Sequence, residues 1–348
     1  MIREGVRGPV SEGATKPYTR YVLARHPVGL PVAEDFRLEH GPVPEPDEGQ
    51  VVVEHTHLGL APAARVRMTP ALPGEAVKLR IGETVYGAAS GRVVASKNPA
   101  FPVGTHVASV DGGWQTHAVS DGADLTAIDI DLAPASVWMG LLGVSGFTGY
   151  VGLEEIGRLR PGETLVVSAA AGAVGSFVVQ MARLRGARVV GVAGGPEKCR
   201  LVERRLGADV CADHRSASFA EQLAAACPDG VDVYFDNVGG RVRDAVWQHM
   251  NEFGRVVVCG QVSQYSLTEP EPGPGWYEIM LRRLLVQGLF WRTHLDRMAD
   301  FRREVGGWVR SGDVVALEDF VDGLESCPAA FSAMLAGRYT GKVVVRLS

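Results

Sequence analysis

The sequence predicts an α/β protein in two parts, a β-rich first part followed by a doubly wound parallel sheet. Three observations predict this. A strand-to-helix turn made of small residues lies near the middle, at Thr164–Gly175. After it, apolar runs alternate with segments of helical periodicity. Before it, short apolar segments are divided by Gly and Pro turn signals.

The elements follow in order. Residues 1–17 are rich in Gly, Pro and charge and read as a flexible lead-in. From Tyr18 to about residue 140 come short apolar segments such as Val51–Val53, Gly91–Ala95 and Thr105–Ser109. Glu48-Gly49, Asn98-Pro99 and Asp111–Gly113 separate them, which gives a twisted or barrel-like β domain. From about residue 141 the pattern predicts strands at 164–168, 188–193, 209–212, 231–236, 255–259 and 285–290. Helices are expected at 173–185, 196–206, 218–226, 241–251, 276–284 and 296–310. Strands with helical crossovers fit a Rossmann sheet. After Asp313 short strands and a helix return, ending in Lys342–Arg346, so the C-terminus runs back to the first part. The expected division is therefore 18–140 completed by 314–348, with 141–313 between.

The central turn carries Ala170-x-Gly172-x-x-Gly175, the dinucleotide fingerprint with alanine in place of its first glycine. Small residues here allow a tight turn and close approach of backbone to a pyrophosphate, and the helix start, with Ala173 and Val174, offers free N–H groups. The second strand, Arg188–Ala193, leads into Gly194-Gly195-Pro196-Glu197-Lys198. An NAD site usually places an acid at that tip. None stands here, and Lys198 can pair with a 2′-phosphate, so NADP is favoured over NAD. The bland alternative makes Lys198 a solvated surface lysine. Two further strand ends meet the same crevice, Asp236–Gly240 and Cys259-Gly260 through Tyr265. Asn237 can donate and accept there, or serve only as a turn residue.

Composition limits the other readings. With a net charge of −5 and no Lys/Arg block, a nucleic-acid surface is not expected. The first twenty residues hold no apolar core of signal-peptide length, and no stretch reaches transmembrane length, so cytoplasmic residence is the default. The five cysteines, Cys199, Cys211, Cys227, Cys259 and Cys327, include no C-x-x-C pair. Buried free thiols are expected, without disulfides and without a metal site. There is no Gly-x-Ser-x-Gly elbow for a serine hydrolase.

Several segments resemble the zinc-independent medium-chain dehydrogenase/reductases, in particular the leukotriene B4 12-hydroxydehydrogenase/prostaglandin reductase group. They are Val166–Ser176, Gly191–Cys199, Cys227–Gly240 and Cys259–Tyr265, with Ala95–Ser109, Gly113–Gly122, Leu141–Leu153 and Phe320–Phe331. The resemblance implies a GroES-like first domain, a Rossmann domain, a homodimer, NADPH, and reduction of a double bond conjugated to a carbonyl. By position it implies Gly172, Ala173, Val174 and Gly175 at the pyrophosphate, Lys198 at the 2′-phosphate and Asn237 beside the nicotinamide. It places the Phe290 backbone at the nicotinamide amide and makes Tyr265 the donor that stabilises a developing enolate. Gly82–Gly87 lacks the Gly-His-Glu of the zinc-binding relatives.

Departures from the group concern the substrate. A pocket tyrosine is replaced by Ala63, and a tyrosine near the 2′-phosphate by His214, followed by Arg215 as a substitute contact. Gly337–Lys342 lacks the group's asparagine. The Pro- and Gly-rich run Ser266–Gly275 reads as an excursion over the substrate mouth, where Trp276, Tyr277 and Trp291 offer apolar walls or plain packing. An enlarged pocket suits a bulkier, less polar molecule. A reductive cyclase, a quinone reductase and a non-catalytic NADPH-binding protein stand as alternatives.

Overall fold

A computed structural model describes residues 17–69, 78–269 and 271–347. All but the last residue of the expected lead-in lies outside them.

Strands β1 (Tyr18–Leu23) and β2 (Phe36–Gly41) pair as an antiparallel ribbon. Then come β3 (Val51–Gly59), helix α1 (Ala63–Arg67), β4 (Ala88–Ser96), β5 (His106–Ser109), β6 (His117–Ser120) and β7 (Leu125–Ala127). Helix α2 (Val144–Val151) runs into a π-helical turn, Gly152–Gly157. The second part alternates β8 (Thr164–Ser168), α3 (Gly175–Leu184), β9 (Arg188–Ala193), α4 (Pro196–Arg204), β10 (Val210–Asp213), α5 (Phe219–Ala226) and β11 (Val231–Asp236). It continues with α6 (Gly240–Trp247), β12 (Met250–Val258), α7 (Trp276–Arg282), β13 (Leu285–Gly288) and α8 (Met298–Ser311). The chain closes with β14 (Glu318–Asp322), α9 (Cys327–Leu335) and β15 (Lys342–Arg346).

Strands β8 to β13 form one parallel sheet in the order β10-β9-β8-β11-β12-β13. This is the doubly wound Rossmann order, and it reverses between β8 and β11. Every residue of β8 is buried, as a parallel strand covered by helices on both faces requires. Phe147, Phe177 and Phe301 fill one face, and Phe219, Tyr234 and Trp247 the other.

The GroES-like part is a seven-stranded sheet, β14-β15-β3-β4-β5-β7, with β6 also paired to β3. Strand β15 is antiparallel to β3, which joins the end of the chain to the first part. Trp114 is wholly buried there, its ring 5.3 Å from both Phe36 and Phe331 of α9. Burying an indole contributes about 5 kcal/mol of transfer free energy, at the usual ~25 cal/mol per Å².

Two expectations need correction. The helix expected over 241–251 ends at Trp247, and Met250 already pairs with Val231. The His249 carbonyl accepts from the Val231 N–H at 2.8 Å, which turns the chain into the sheet four residues early. Strand β13 ends at Gly288, so Phe290 stands beyond it as the residue preceding a short 3₁₀ segment, Trp291–Arg297.

Candidate active site

The crevice lies at the carboxyl ends of β8, β9, β11 and β12, where the strand order reverses. At the end of β8 Ala169 adopts φ 49°, and its carbonyl accepts from the Gly172 N–H at 2.8 Å. A Cβ on Gly175 would lie 2.2 Å from that same oxygen. Glycine is therefore obligatory at Gly175, and its absence of side chain keeps α3 tight on the sheet. Ala170 is fully buried, its N–H bonded to the Val192 carbonyl at 3.0 Å. The Ala173 and Val174 N–H groups have no partner among the described residues. They sit at the start of a ten-residue helix, where the macrodipole favours an anion. The Gly341 N–H reaches the Ala171 carbonyl at 2.6 Å, so the C-terminal segment docks on this turn.

At the end of β9, Gly194 is hemmed in by two side chains. A Cβ there would lie 2.8 Å from His214 Nε2 and 2.9 Å from Arg215 Nε. Burial, and then the charge of Arg215, hold His214 below its ordinary range, so it is a neutral hydrogen-bonding group near pH 7. Lys198 is half-buried on the first turn of α4, and its Nζ donates to the Gly337 and Tyr339 carbonyls at 2.9 and 2.5 Å. Burial and Arg215 lower its pKa. Arg241 donates to the His214 carbonyl and adds a third cation. The sequence reading missed Arg241, whose signal is a basic residue directly after Gly239-Gly240.

At the end of β11, Asn237 donates from its backbone N–H to Ser168 Oγ at 2.9 Å and from Nδ2 to the Ser168 carbonyl at 2.8 Å. Its Oδ1 is left as a free acceptor among the described residues. Buried Asp236 orders this loop, one oxygen accepting from Tyr234, Ser168 and the Val238 and Gly239 N–H groups. The Cys259 and Gly260 N–H groups both bond to the Asp236 carbonyl, at 2.9 and 3.0 Å. Asp236 was legible only as the start of a turn.

The Tyr265 hydroxyl accepts from the Gln261 N–H at 3.1 Å and lies 3.1 Å from where a Gly260 Cβ would stand. Its own hydrogen has no acceptor among the described residues. Burial raises its pKa, so it remains an O–H donor across the neutral range. The Phe290 carbonyl accepts from the Thr293 N–H and Oγ1, whereas its N–H has no partner among the described residues.

The substrate-side residues divide. Ala63 is exposed at the first position of α1. Nearby on the same helix, Arg67 stacks 3.6 Å over the Tyr86 ring and faces Asp111 at 3.6 Å. Arg292 binds the same carboxylate at 3.1 Å, linking the two parts of the chain. Trp291 packs edge-on against Phe147. Trp276 departs from the expected pocket wall, being 86% exposed, because α7 meets the sheet through Ile279 and turns Trp276 and Tyr277 outward. The excursion before it is tied down by Gln264–Glu271 hydrogen bonds and by Arg243 on the Pro272 carbonyl. A shallow recess, open to solvent, lies between the first sheet and α2 and α8, walled by Val110, Trp138, Leu142, Val144 and Met298.

This fold and crevice define a nucleotide-dependent oxidoreductase with a GroES-like domain. Residues 19–128 match the family described as N-terminal domain of oxidoreductase, and residues 173–305 that described as zinc-binding dehydrogenase. Among the described residues no group of three or more His, Cys, Asp or Glu is placed to hold a metal ion. The chain is 44% identical to the NADPH-dependent curcumin reductase of Escherichia coli, over 94% of its own length and 96% of the relative's. It is 40% identical to mouse prostaglandin reductase 1, over 94% and 98%. The crystal structure of CurA in complex with NADPH from Vibrio vulnificus superposes with a TM-score of 0.90, at 39% identity over 95% and 99% of the chains. The chain belongs to the zinc-independent medium-chain dehydrogenase/reductases, among their NADP(H)-dependent reductases.

Proposed function

We propose that the crevice reduces an activated carbon–carbon double bond in a small enone or enal, with Tyr265 as the donor to the conjugated oxygen. NADPH-dependent reduction of such bonds is the activity of the group to which the chain belongs. The observation that carries the assignment of Tyr265 is its hydroxyl, bonded only as an acceptor and kept protonated by burial.

The residues present fit NADPH. The free Ala173 and Val174 amides, with the cradle kept open by Gly172 and Gly175, take the pyrophosphate. Lys198, Arg215 and Arg241, with neutral His214 beside Gly194, take the 2′-phosphate. Asn237 Oδ1 accepts from the ribose beside the nicotinamide, Cys259 and Gly260 line its approach, and the Phe290 N–H meets the carboxamide. NADPH, when bound, supplies the hydride. As negative charge builds on the substrate oxygen, Tyr265 donates to it, which lowers the barrier by about 3 kcal/mol, the scale of one oxyanion-hole donor. Ala63, exposed on α1 in place of the group's pocket tyrosine, leaves room for a bulky, weakly polar substrate.

Within this proposal, 18–140 with 314–348 is the substrate domain and 141–313 the cofactor domain, which agrees with β15 pairing to β3. We also propose a homodimer in the cytoplasm. Among the described residues edge strand β13 has no partner on its outer side, and its Leu285 and Val286, with Trp276, Met280 and Leu281 of α7, are exposed, a combination typical of an interface. Among the described residues no helix is long and apolar enough to cross a membrane. Sedimentation is expected to give twice the chain mass, falling to one chain mass in Val286→Pro; a monomeric wild type refutes the dimer.

The test of function is NADPH and NADH oxidation against enones, alkenals, quinones and conjugated polyenes, with product masses and ring counts. NADPH-specific turnover giving products two hydrogens heavier is expected. An altered ring count points instead to a cyclase, and turnover confined to quinones overturns the enone assignment.

A further inference from the structure

The five cysteines are free, but two of them are not isolated: Cys199 of α4 and Cys211 of β10 place their Sγ atoms 2.9 Å apart. We propose that Cys199 and Cys211 are a redox-active dithiol, a modification site beneath the 2′-phosphate end of the cofactor crevice, and that its oxidation to a disulfide weakens NADPH binding.

The placement carries the argument. A disulfide needs an S–S distance of about 2.05 Å, so the two sulfurs must close by roughly 0.9 Å. Cys199 directly follows Lys198, whose amine is anchored on the Gly337 and Tyr339 carbonyls. Cys211 lies two residues before Asp213, whose carboxylate holds the N–H groups of Gly195 and Arg215 at 2.7 and 2.9 Å. The pair therefore joins the two elements that carry the cationic groups around Gly194. Drawing α4 toward β10 displaces Lys198 relative to His214 and Arg215.

The pair is also chemically set apart. Cys211 donates its S–H to Cys199, which holds the Cys199 thiol below its ordinary range and marks it as the attacking sulfur. The Cys211 N–H is fixed by Glu203 Oε1 at 2.9 Å. Cys211, raised above its ordinary range by its bond to Cys199 and by burial, keeps its proton, and burial pushes Cys227 up to about 11 and Cys259 up to about 12. Cys199 and Cys211 are both buried, at 7% and 9% exposure, so the oxidant reaches them through local opening of α4.

The oxidant is a hydroperoxide. The Cys199 thiolate, its proton released to water, attacks one peroxide oxygen; the O–O bond breaks and hydroxide leaves, giving a sulfenic acid. Cys211 sulfur then attacks Cys199 Sγ, the S–O bond breaks, and the departing hydroxide takes the Cys211 proton. Two thiols and one hydrogen peroxide become one disulfide and two waters.

The experiment treats the full-length protein with hydrogen peroxide, alkylates the remaining thiols and maps the peptides. The expected product is a single linkage between Cys199 and Cys211, lighter by two hydrogens and reversed by dithiothreitol. NADPH affinity, whose use as a readout rests on the cofactor assignment above, is expected to fall about tenfold on oxidation, with NADH affinity unchanged. Cys199→Ser and Cys211→Ser each abolish the linkage and the change in affinity. Oxidation only at other cysteines, over-oxidation without a linkage, or a linkage that leaves NADPH affinity unmoved overturns the proposal. The mapping needs no cofactor, so failure of the cofactor assignment, seen as no NADPH binding by the reduced enzyme, is distinguishable.

Discussion

Replacing Lys198 by methionine keeps the stem that packs on the first turn of α4 and removes only the charge. The side chain has two separable duties. It holds the Gly337 and Tyr339 carbonyls, and in the account above it also pairs with the 2′-phosphate. A hydrogen bond to a charged partner contributes about 1.5–3 kcal/mol. Lys198 is half-buried beside Arg215, which shares the phosphate, so the lower end applies. A loss of about 1.5–2 kcal/mol is a drop of roughly 10- to 30-fold in NADPH affinity. The assay compares kcat/KM for NADPH and NADH on one enone. Loosening of the 337–339 loop affects both cofactors alike, whereas loss of the phosphate contact affects NADPH alone. The expected result is a fall for NADPH with NADH within about twofold. An unchanged ratio, or a parallel fall in both, refutes the phosphate role and leaves Lys198 a loop anchor.

Three further outcomes follow from the geometry. Tyr265→Phe lowers kcat by about 100-fold with NADPH affinity retained, in line with loss of one oxyanion donor; full turnover removes Tyr265 from the chemistry. Gly175→Ala drives a Cβ into the Ala169 carbonyl, so fluorescence titration shows NADPH binding weakened at least tenfold, and thermal melting shows a loss of about 1–3 kcal/mol. Buried His55 donates from Nδ1 to the Gln115 carbonyl while Nε2 has no partner among the described residues, and burial lowers its pKa to about 4. The folded pKa lies below the unfolded value near 6.5, so this stability is complete above pH 6.5 and is lost as pH falls toward 4, by about 3 kcal/mol in all. Denaturant melts at pH 7 and pH 4.5 are expected to show that decline, and His55→Leu to flatten it; equal declines in both proteins exclude His55.

The strands of the Rossmann sheet were legible because β8, β9 and β11 are short runs dominated by apolar residues, as parallel strands buried on both faces must be. Helix α2 and its π-helical turn were not. Five glycines between Gly143 and Gly157 weaken every local helix signal. Tertiary packing demands several of them: a Cβ on Gly149 would lie 2.8 Å from Phe177 and one on Gly152 2.5 Å from Phe235. The pyrophosphate turn was readable because its spacing encodes a backbone shape. Arg241, Asp236 and the Arg67–Asp111–Arg292 link were not, since each depends on residues brought together only by folding. The placement of Trp276 was left open, because an aromatic next to a Pro- and Gly-rich loop reads the same whether it faces a pocket or an interface.

The most direct test of the central claim is a turnover with NADPH dideuterated at nicotinamide C4 and a simple aryl enone in ordinary water. The account predicts a saturated ketone carrying one deuterium, located at the carbon β to the carbonyl. Deuterium at the carbonyl carbon of an allylic alcohol, or NADPH bound without any transfer of label, contradicts it.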